Sequence, residues 1–303
     1  MKIGFKTGPN NWGEGKDIVR KHRANMCEMW FRVDRAKDYD YKFRWLKKAG
    51  VEVGLHYWGM CKNNFKPNIA TNNRAIRSET LEQIKKTIDI GKEINCVYVN
   101  IHPGAQVSEK LSFNPIQQTP VWSDKTPPEE SEKLCLSALK ELNEYALQRD
   151  VLLLVETICR GEKRAGDRGD FYEPGNLRLG IIEEAAKSGI NIANDLAHTA
   201  TWAKSEGEDA YDEMKNVLNN FIKKTKERTK LLHVNTVSKP FNGTDSHDGV
   251  TPEDEKMRVF PFRDQLLDIL SMFKDRKDVF AVLEPRTNME GNYLSLVSMV
   301  DKL

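Results

Sequence analysis

The chain alternates short apolar runs with longer stretches in which apolar residues recur at helical spacing. Several of the runs are rich in valine, isoleucine and leucine without polar residues at alternate positions, which is typical of strands buried on both faces. Eight such runs occur, at residues 2–5, 26–31, 51–57, 97–103, 151–157, 190–195, 231–236 and 279–285. We predict one β-strand in each of them.

The stretches between the runs predict amphipathic helices. In residues 78–94, for example, Leu81, Ile84 and Ile88 recur on one stripe, and residues 129–148 show the same pattern. A third predicted helix, within residues 176–189, is followed by a glycine, which suits a helix C-terminus. The Pro-rich segment 114–130 is predicted to be a long loop between a strand and a helix.

Strands that alternate with helices indicate parallel strands joined by crossover helices. Eight such units predict an α/β protein with one domain, a (β/α)8 TIM barrel over residues 1–303. An open doubly wound sheet is the alternative architecture. No GxGxxG motif follows the first strand, which disfavours a dinucleotide-binding version of that sheet.

Composition narrows the class of protein. The net charge of +2 gives no sign of nucleic-acid binding by itself. No apolar run approaches the ~20 residues of a membrane span, and the N-terminus is too weakly apolar for a signal peptide. The five cysteines are odd in number and form no CxxC pair, which argues against a disulfide framework and a thiolate zinc site. We therefore expect a cytoplasmic protein with no membrane partner, and we take a monomer as its expected state.

The candidate chemistry lies at the predicted strand ends. Functional residues of a (β/α)8 barrel lie at the carboxyl ends of the strands and in the loops that follow. Of the six histidines, only His22 lies elsewhere, and four carboxylates accompany the other five. The candidate residues are His56, His102, Glu156, Asp195, His198, His233, Asp245, His247 and Glu284.

These nine side chains predict a metal centre. Carboxylates packed together repel one another and would be forced to take up protons, whereas divalent cations remove that repulsion. Imidazole and carboxylate without thiolate suit zinc or manganese. Because one zinc ion usually takes about four ligands, nine candidate ligands fit two or three ions better than one.

Seven motifs carry a resemblance to a known family. They are "LHYW" (55–58), "NIHPG" (100–104), "LLVET" (153–157), "NDLAH" (194–198), "LLHVN" (231–235), "DSHDG" (245–249) and "VLEP" (282–285). From about residue 50 onward, the chain resembles the endonuclease IV family of abasic-site DNA endonucleases, within the xylose-isomerase-like barrel superfamily. The loops after the first two strands diverge from that family, and no His-Val-Ser motif follows the first strand.

The resemblance implies three Zn²⁺ ions, with Mn²⁺ or Mg²⁺ as alternatives. Glu156 would bridge the first two ions, and Asn235 and Lys239 are placed to contact phosphate. The implied activity is hydrolysis of duplex DNA on the 5′ side of an abasic site. The implied ligands are His56, His102 and Glu156 for the first ion, Glu156, Asp195, His233 and Glu284 for the second, and His198, Asp245 and His247 for the third.

A sugar or sugar-acid isomerase or epimerase on the same barrel is the alternative function. It needs a single divalent metal, held by Glu156, Asp195, His233 and Glu284, and an acid–base pair beside a carbonyl group. Glu156 and Glu284 are the candidate catalytic residues for that proton transfer. This alternative assigns no role to His198, Asp245 and His247.

Overall fold

The computed structural model describes residues 1–114, 117–161, 163–166, 169–172, 176–205 and 210–303. Its centre is a closed barrel of eight parallel strands that neighbour one another in chain order. Every predicted run overlaps one of these strands, so the (β/α)8 TIM barrel is confirmed and the open sheet is wrong. The strands are β1 (Lys2–Thr7), β2 (Met26–Arg32), β3 (Glu52–Trp58), β4 (Tyr98–Ile101), β5 (Leu153–Glu156), β6 (Asn191–Asp195), β7 (Thr229–His233) and β8 (Phe280–Leu283).

Helices connect the strands around the outside of the barrel. They are α1 (Trp12–His22), α2 (Asp40–Lys48), α3 (Arg74–Ile94), α4 (Pro128–Leu147), α5 (Leu179–Lys187), α6 (Leu196–Ala200), α7 (Ala210–Thr225), α8 (Pro252–Lys256), α9 (Arg263–Ser271) and α10 (Met289–Val300), with 3₁₀ turns at Val33–Tyr39 and Lys62–Asn64. The three helices predicted by spacing are all present. The observed α3 begins earlier than its apolar stripe because Asn73 caps it, its side chain accepting from the Ile76 amide.

Two antiparallel hairpins lie in the connections that follow β4 and β5. One pairs Val107–Asn114 with Gln117–Lys125, and the other pairs Lys163–Gly166 with Gly169–Tyr172. The prediction of a loop over residues 114–130 is therefore wrong for Asn114 and Gln117–Lys125, which lie in strands, and for Pro128–Glu130, which begin α4. Residues 115 and 116 lie outside the described part of the chain. Pairing within the hairpin satisfies the backbone, which the proline content alone did not reveal.

The barrel interior is stacked in layers. An apolar plug fills the lower part, formed by Met26, Tyr98, Leu154, Ala193, Leu231, Phe280 and Val282. Because side chains alternate between the two faces of a strand, residues two positions further along face the same interior. That step leads from Leu154 to Glu156 and from Leu231 to His233, so the register sets a polar layer directly on the apolar plug.

Gly54 makes room for one large member of the plug. It pairs with Tyr98 in the strand register, and a Cβ atom at position 54 would lie 2.3 Å from Tyr98 Cζ. We expect Gly54→Ala to lower the free energy of unfolding by about 1–3 kcal/mol, the usual cost of overpacking a core. Urea denaturation measures this loss.

The matched control is Gly13→Ala in α1, where an added Cβ atom meets nothing within 4 Å. It should leave stability unchanged or raise it by up to ~1 kcal/mol, since alanine favours helix over glycine. Equal losses in the two variants would show that crowding against Tyr98 does not limit position 54.

Candidate metal centre

The first group at the mouth of the barrel joins three strands. His56 lies near the end of β3, His102 follows β4 and Glu156 ends β5. The Nε2 atoms of the two histidines lie 3.3 Å apart, and His102 Nε2 lies 3.7 Å from Glu156 Oε2. One ligand atom from each residue lies within 4.8 Å of the others, which is close enough for a single ion to contact all three.

The second group shares Glu156 with the first. Its other members are Asp195, His233 and Glu284, from the ends of β6, β7 and β8. His233 Nδ1 lies at the centre, 3.2 Å from Glu156 Oε1, 3.7 Å from Asp195 Oδ2 and 3.4 Å from Glu284 Oε2. The two oxygens of Glu156 thus face different groups, as a bridging carboxylate requires.

The third group is built by local structure as well as by the barrel. Asp195 caps the N-terminus of α6 by accepting from the His198 amide at 2.8 Å, which places His198 in the first turn. His198 Nδ1 contacts the Thr157 carbonyl at 2.8 Å and leaves Nε2 facing Asp245 Oδ2 at 3.2 Å. The same oxygen lies 2.6 Å from His247 Nε2, so all nine candidate residues fall into the three expected groups.

The electrostatics of these groups call for added positive charge. Glu156, Asp195 and His233 are fully buried, and the buried Glu284 Oε2 has no hydrogen-bond partner among the described residues. Burial opposes a charge on His233, yet the carboxylates of Glu28 and Glu156 outweigh it and raise the pKa of His233 well above its usual value. The residues fit divalent cations, because oxygen and imidazole donors converge there and thiolates do not.

Four further polar residues of this layer were not identified as part of the metal centre from the sequence. Lys6 and Glu28 come from β1 and β2, Asn100 from β4, and Asn235 lies two residues after His233. Each is 5% exposed or less. For Glu28, the sequence did contain a signal: it is the one charged residue in the apolar run "MCEMWF". Burying a charge in a strand is costly unless a partner compensates it, so such a residue indicates a polar partner inside the barrel.

Asn235 has a different role from the predicted phosphate contact. Its Nδ2 atom donates to Asp195 Oδ2 at 2.7 Å, and its Oδ1 atom accepts from the Glu284 amide at 3.0 Å. Because the residue is fully buried, its amide orients two members of the second group rather than facing a substrate. Asn100 likewise donates to Glu156 Oε2.

The entrance to the site carries aromatic and basic side chains. Trp30 is 39% exposed and stacks on the ring of His56, with centroids 5.7 Å apart and planes at 9°. Nearby, the Arg32 guanidinium lies 4.6 Å from the centroid of the Trp58 ring. A planar or anionic ligand that enters the mouth would meet these groups before it reaches the buried carboxylates.

Together the fold and the site define a (β/α)8 barrel with clustered imidazoles and carboxylates at its carboxyl-end mouth. The family model described as "Xylose isomerase-like TIM barrel" matches residues 17–283, and the chain belongs to that family. The predicted superfamily is therefore confirmed. No curated protein sequence gives a significant match.

Solved structures of two kinds share the fold. Endonuclease IV from Thermus thermophilus is 16% identical, with 100% of each chain covered and a TM-score of 0.60. A D-tagatose 3-epimerase-like protein is 15% identical, with 100% of this chain and 97% of that chain covered and a TM-score of 0.64. An L-ribulose 3-epimerase is 13% identical, with 99% and 86% covered and a TM-score of 0.61. At these identities the likeness establishes the fold and leaves the reaction open.

None of the helices in the described part of the chain is long and apolar enough to cross a membrane.

Proposed function

We propose that the protein is a metal-dependent phosphodiester hydrolase that uses three divalent cations, zinc first among them, and cleaves duplex DNA at abasic sites. One observation supports this function above the others. His198, Asp245 and His247 form a complete third group beside the two that share Glu156. A barrel that needs one ion has no use for this third group, whereas a phosphodiester has several oxygens whose charge must be neutralised.

The chain's own residues supply the positions for this chemistry. Divalent cations bound here would acidify a water molecule and neutralise the charge that develops on the phosphodiester. Glu156 holds two groups at a fixed separation because its carboxylate is fully buried and held by Asn100. The side chain of His102 is 48% exposed and marks the side from which substrate arrives.

Sugar isomerisation or epimerisation is the second candidate, favoured by a specific observation. The group of Glu156, Asp195, His233 and Glu284 is complete without the other two groups. Proton transfer next to a carbonyl group would then fall to Glu156 and Glu284, whose carboxylates both face His233 Nδ1. Its weak point is the third group, for which it offers no use.

The test of the proposed function is cleavage of a labelled duplex that contains one abasic site. We expect a single nick 5′ to the site, lost after EDTA treatment and restored by zinc, with an otherwise identical duplex lacking the abasic site left intact. Metal content measured on the same preparation should approach three ions per chain.

A preparation that carries about one ion per chain, leaves abasic DNA intact and exchanges solvent deuterium into a ketose would overturn the proposal. That result would instead establish the isomerase or epimerase function.

A further inference from the structure

Glu28 lies beneath the first two groups and contacts a histidine of each. Its Oε1 atom is 3.1 Å from His56 Nδ1 and 3.0 Å from His233 Nε2, and its Oε2 atom accepts from the Tyr98 hydroxyl at 2.8 Å. The side chain is fully buried, and Tyr98 in the apolar plug fixes its lower edge. One carboxylate oxygen therefore faces two imidazoles that come from different strands of the barrel.

The two histidines use opposite ring nitrogens. His56 directs Nε2 toward His102, whereas His233 directs Nδ1 toward Glu156 and Glu284. An imidazole that gives a lone pair to a cation from one nitrogen must carry its proton on the other. The metal-competent tautomers are thus Nδ1–H for His56 and Nε2–H for His233, and in both the N–H points at Glu28 Oε1.

We propose that Glu28 is a positioning residue that fixes the ring orientation and tautomer of His56 and His233 together, and so couples the first and second metal groups. The inference rests on the metal-binding part of the proposed function and not on the substrate. Glu28 acts through the two histidines, because its second oxygen is held by Tyr98 from the side of the plug.

Lys6 explains why Glu28 serves as a hydrogen-bond acceptor and not as a metal ligand. Glu28, His56, His233 and Glu284 also lie close enough together to surround a cation. The Lys6 ammonium already contacts three of these four, pairing with Glu284 and lying 3.6 Å from Glu28 Oε1 and 2.7 Å from His56 Nδ1. The chain's own cation thus takes the place of an ion in this set.

Lys6 and Glu28 also compete for the same atom of His56. The ammonium can donate only to an unprotonated Nδ1, while Glu28 can accept only from a protonated one. Binding of a cation at Nε2 requires the proton on Nδ1, which favours the contact with Glu28. The carboxylate therefore selects the form of His56 that the first group needs.

The test compares Glu28→Gln with Glu290→Gln. Glu290 also pairs with a histidine, His22 at 2.7 Å, but lies on the surface away from the site. Each protein is dialysed against a series of zinc chelators of increasing strength, and its metal content is then measured. Glu28→Gln should lose the ions of the first two groups at a chelator strength about 10–100-fold lower than the wild type and Glu290→Gln require. The ion at His198, Asp245 and His247 is an internal reference, because these three residues form a group without Glu28.

Long-range ¹H–¹⁵N spectra of the six histidine rings report the tautomer of each ring, and their main result comes from the wild-type protein. In zinc-loaded wild-type protein we expect His56 protonated on Nδ1 and His233 on Nε2, with mixed tautomers in Glu28→Gln. The opposite tautomers in the wild type would overturn the inference, and this result does not depend on how well the variant folds. Unchanged metal retention in folded Glu28→Gln would overturn it as well. Failure to cleave abasic DNA would not affect either measurement, so the two proposals fail separately.

Discussion

Glu156→Gln is expected to leave the protein with only the ion of the third group and to lower DNA cleavage on the order of 10³-fold or more. Glu156 is the one residue shared by the first two groups, and its two oxygens face different histidines. A neutral amide offers one acceptor oxygen and no charge, so neither group keeps its full set of ligands. Loss of several kcal/mol of charge stabilisation corresponds to that decrease in rate.

Elemental analysis and cleavage of abasic duplex are the two measurements for this variant. Glu132→Gln is the matched control, because Glu132 pairs with Arg178 on the surface and lies outside the three groups. It should retain the metal content and activity of the wild type. Retention of all ions in Glu156→Gln, together with near-normal cleavage, would show that this carboxylate does not join two metal sites.

His198→Ala is expected to lose one ion while the first two groups keep theirs. The ring of His198 is held between the Thr157 carbonyl and Asp245, so its removal takes away one of the three ligands of this group. Abasic-site cleavage should fall by about 10²–10³-fold, because the third group would no longer stabilise charge on the phosphodiester. The same variant separates the two candidate functions, since a single-ion isomerase would keep its activity.

His22→Ala is the control for this prediction. His22 is the one histidine outside the site, and it pairs with Glu290 near the surface. It should cost neither metal nor activity. Full cleavage by His198→Ala with three ions bound per chain would contradict the assignment of the third group, whatever the effect at His22.

The sequence alone determined the barrel and the place of its chemistry. Strands buried on both faces are largely apolar, so eight strands could be located as runs, and connections through helices indicate that those strands are parallel. The carboxyl ends of parallel strands in a barrel meet at one mouth, which is why nine residues spread from His56 to Glu284 could be expected together. The local motif "NDLAH" even carries its own geometry, since an aspartate N-cap sets the histidine three residues later.

Other features were decided only by tertiary structure. Closure of the barrel brings β1 and β2 beside the later strands, so Glu28 meets a histidine 205 residues away and Lys6 meets a glutamate 278 residues away. No local pattern encodes such pairs, because strand register and layer height inside the barrel determine which side chains share a level. The direction of each imidazole nitrogen is likewise set by neighbours from other strands. The sequence therefore specified nine residues that reach the site, whereas packing added Lys6 and Glu28 to them and specified which side-chain atoms face one another.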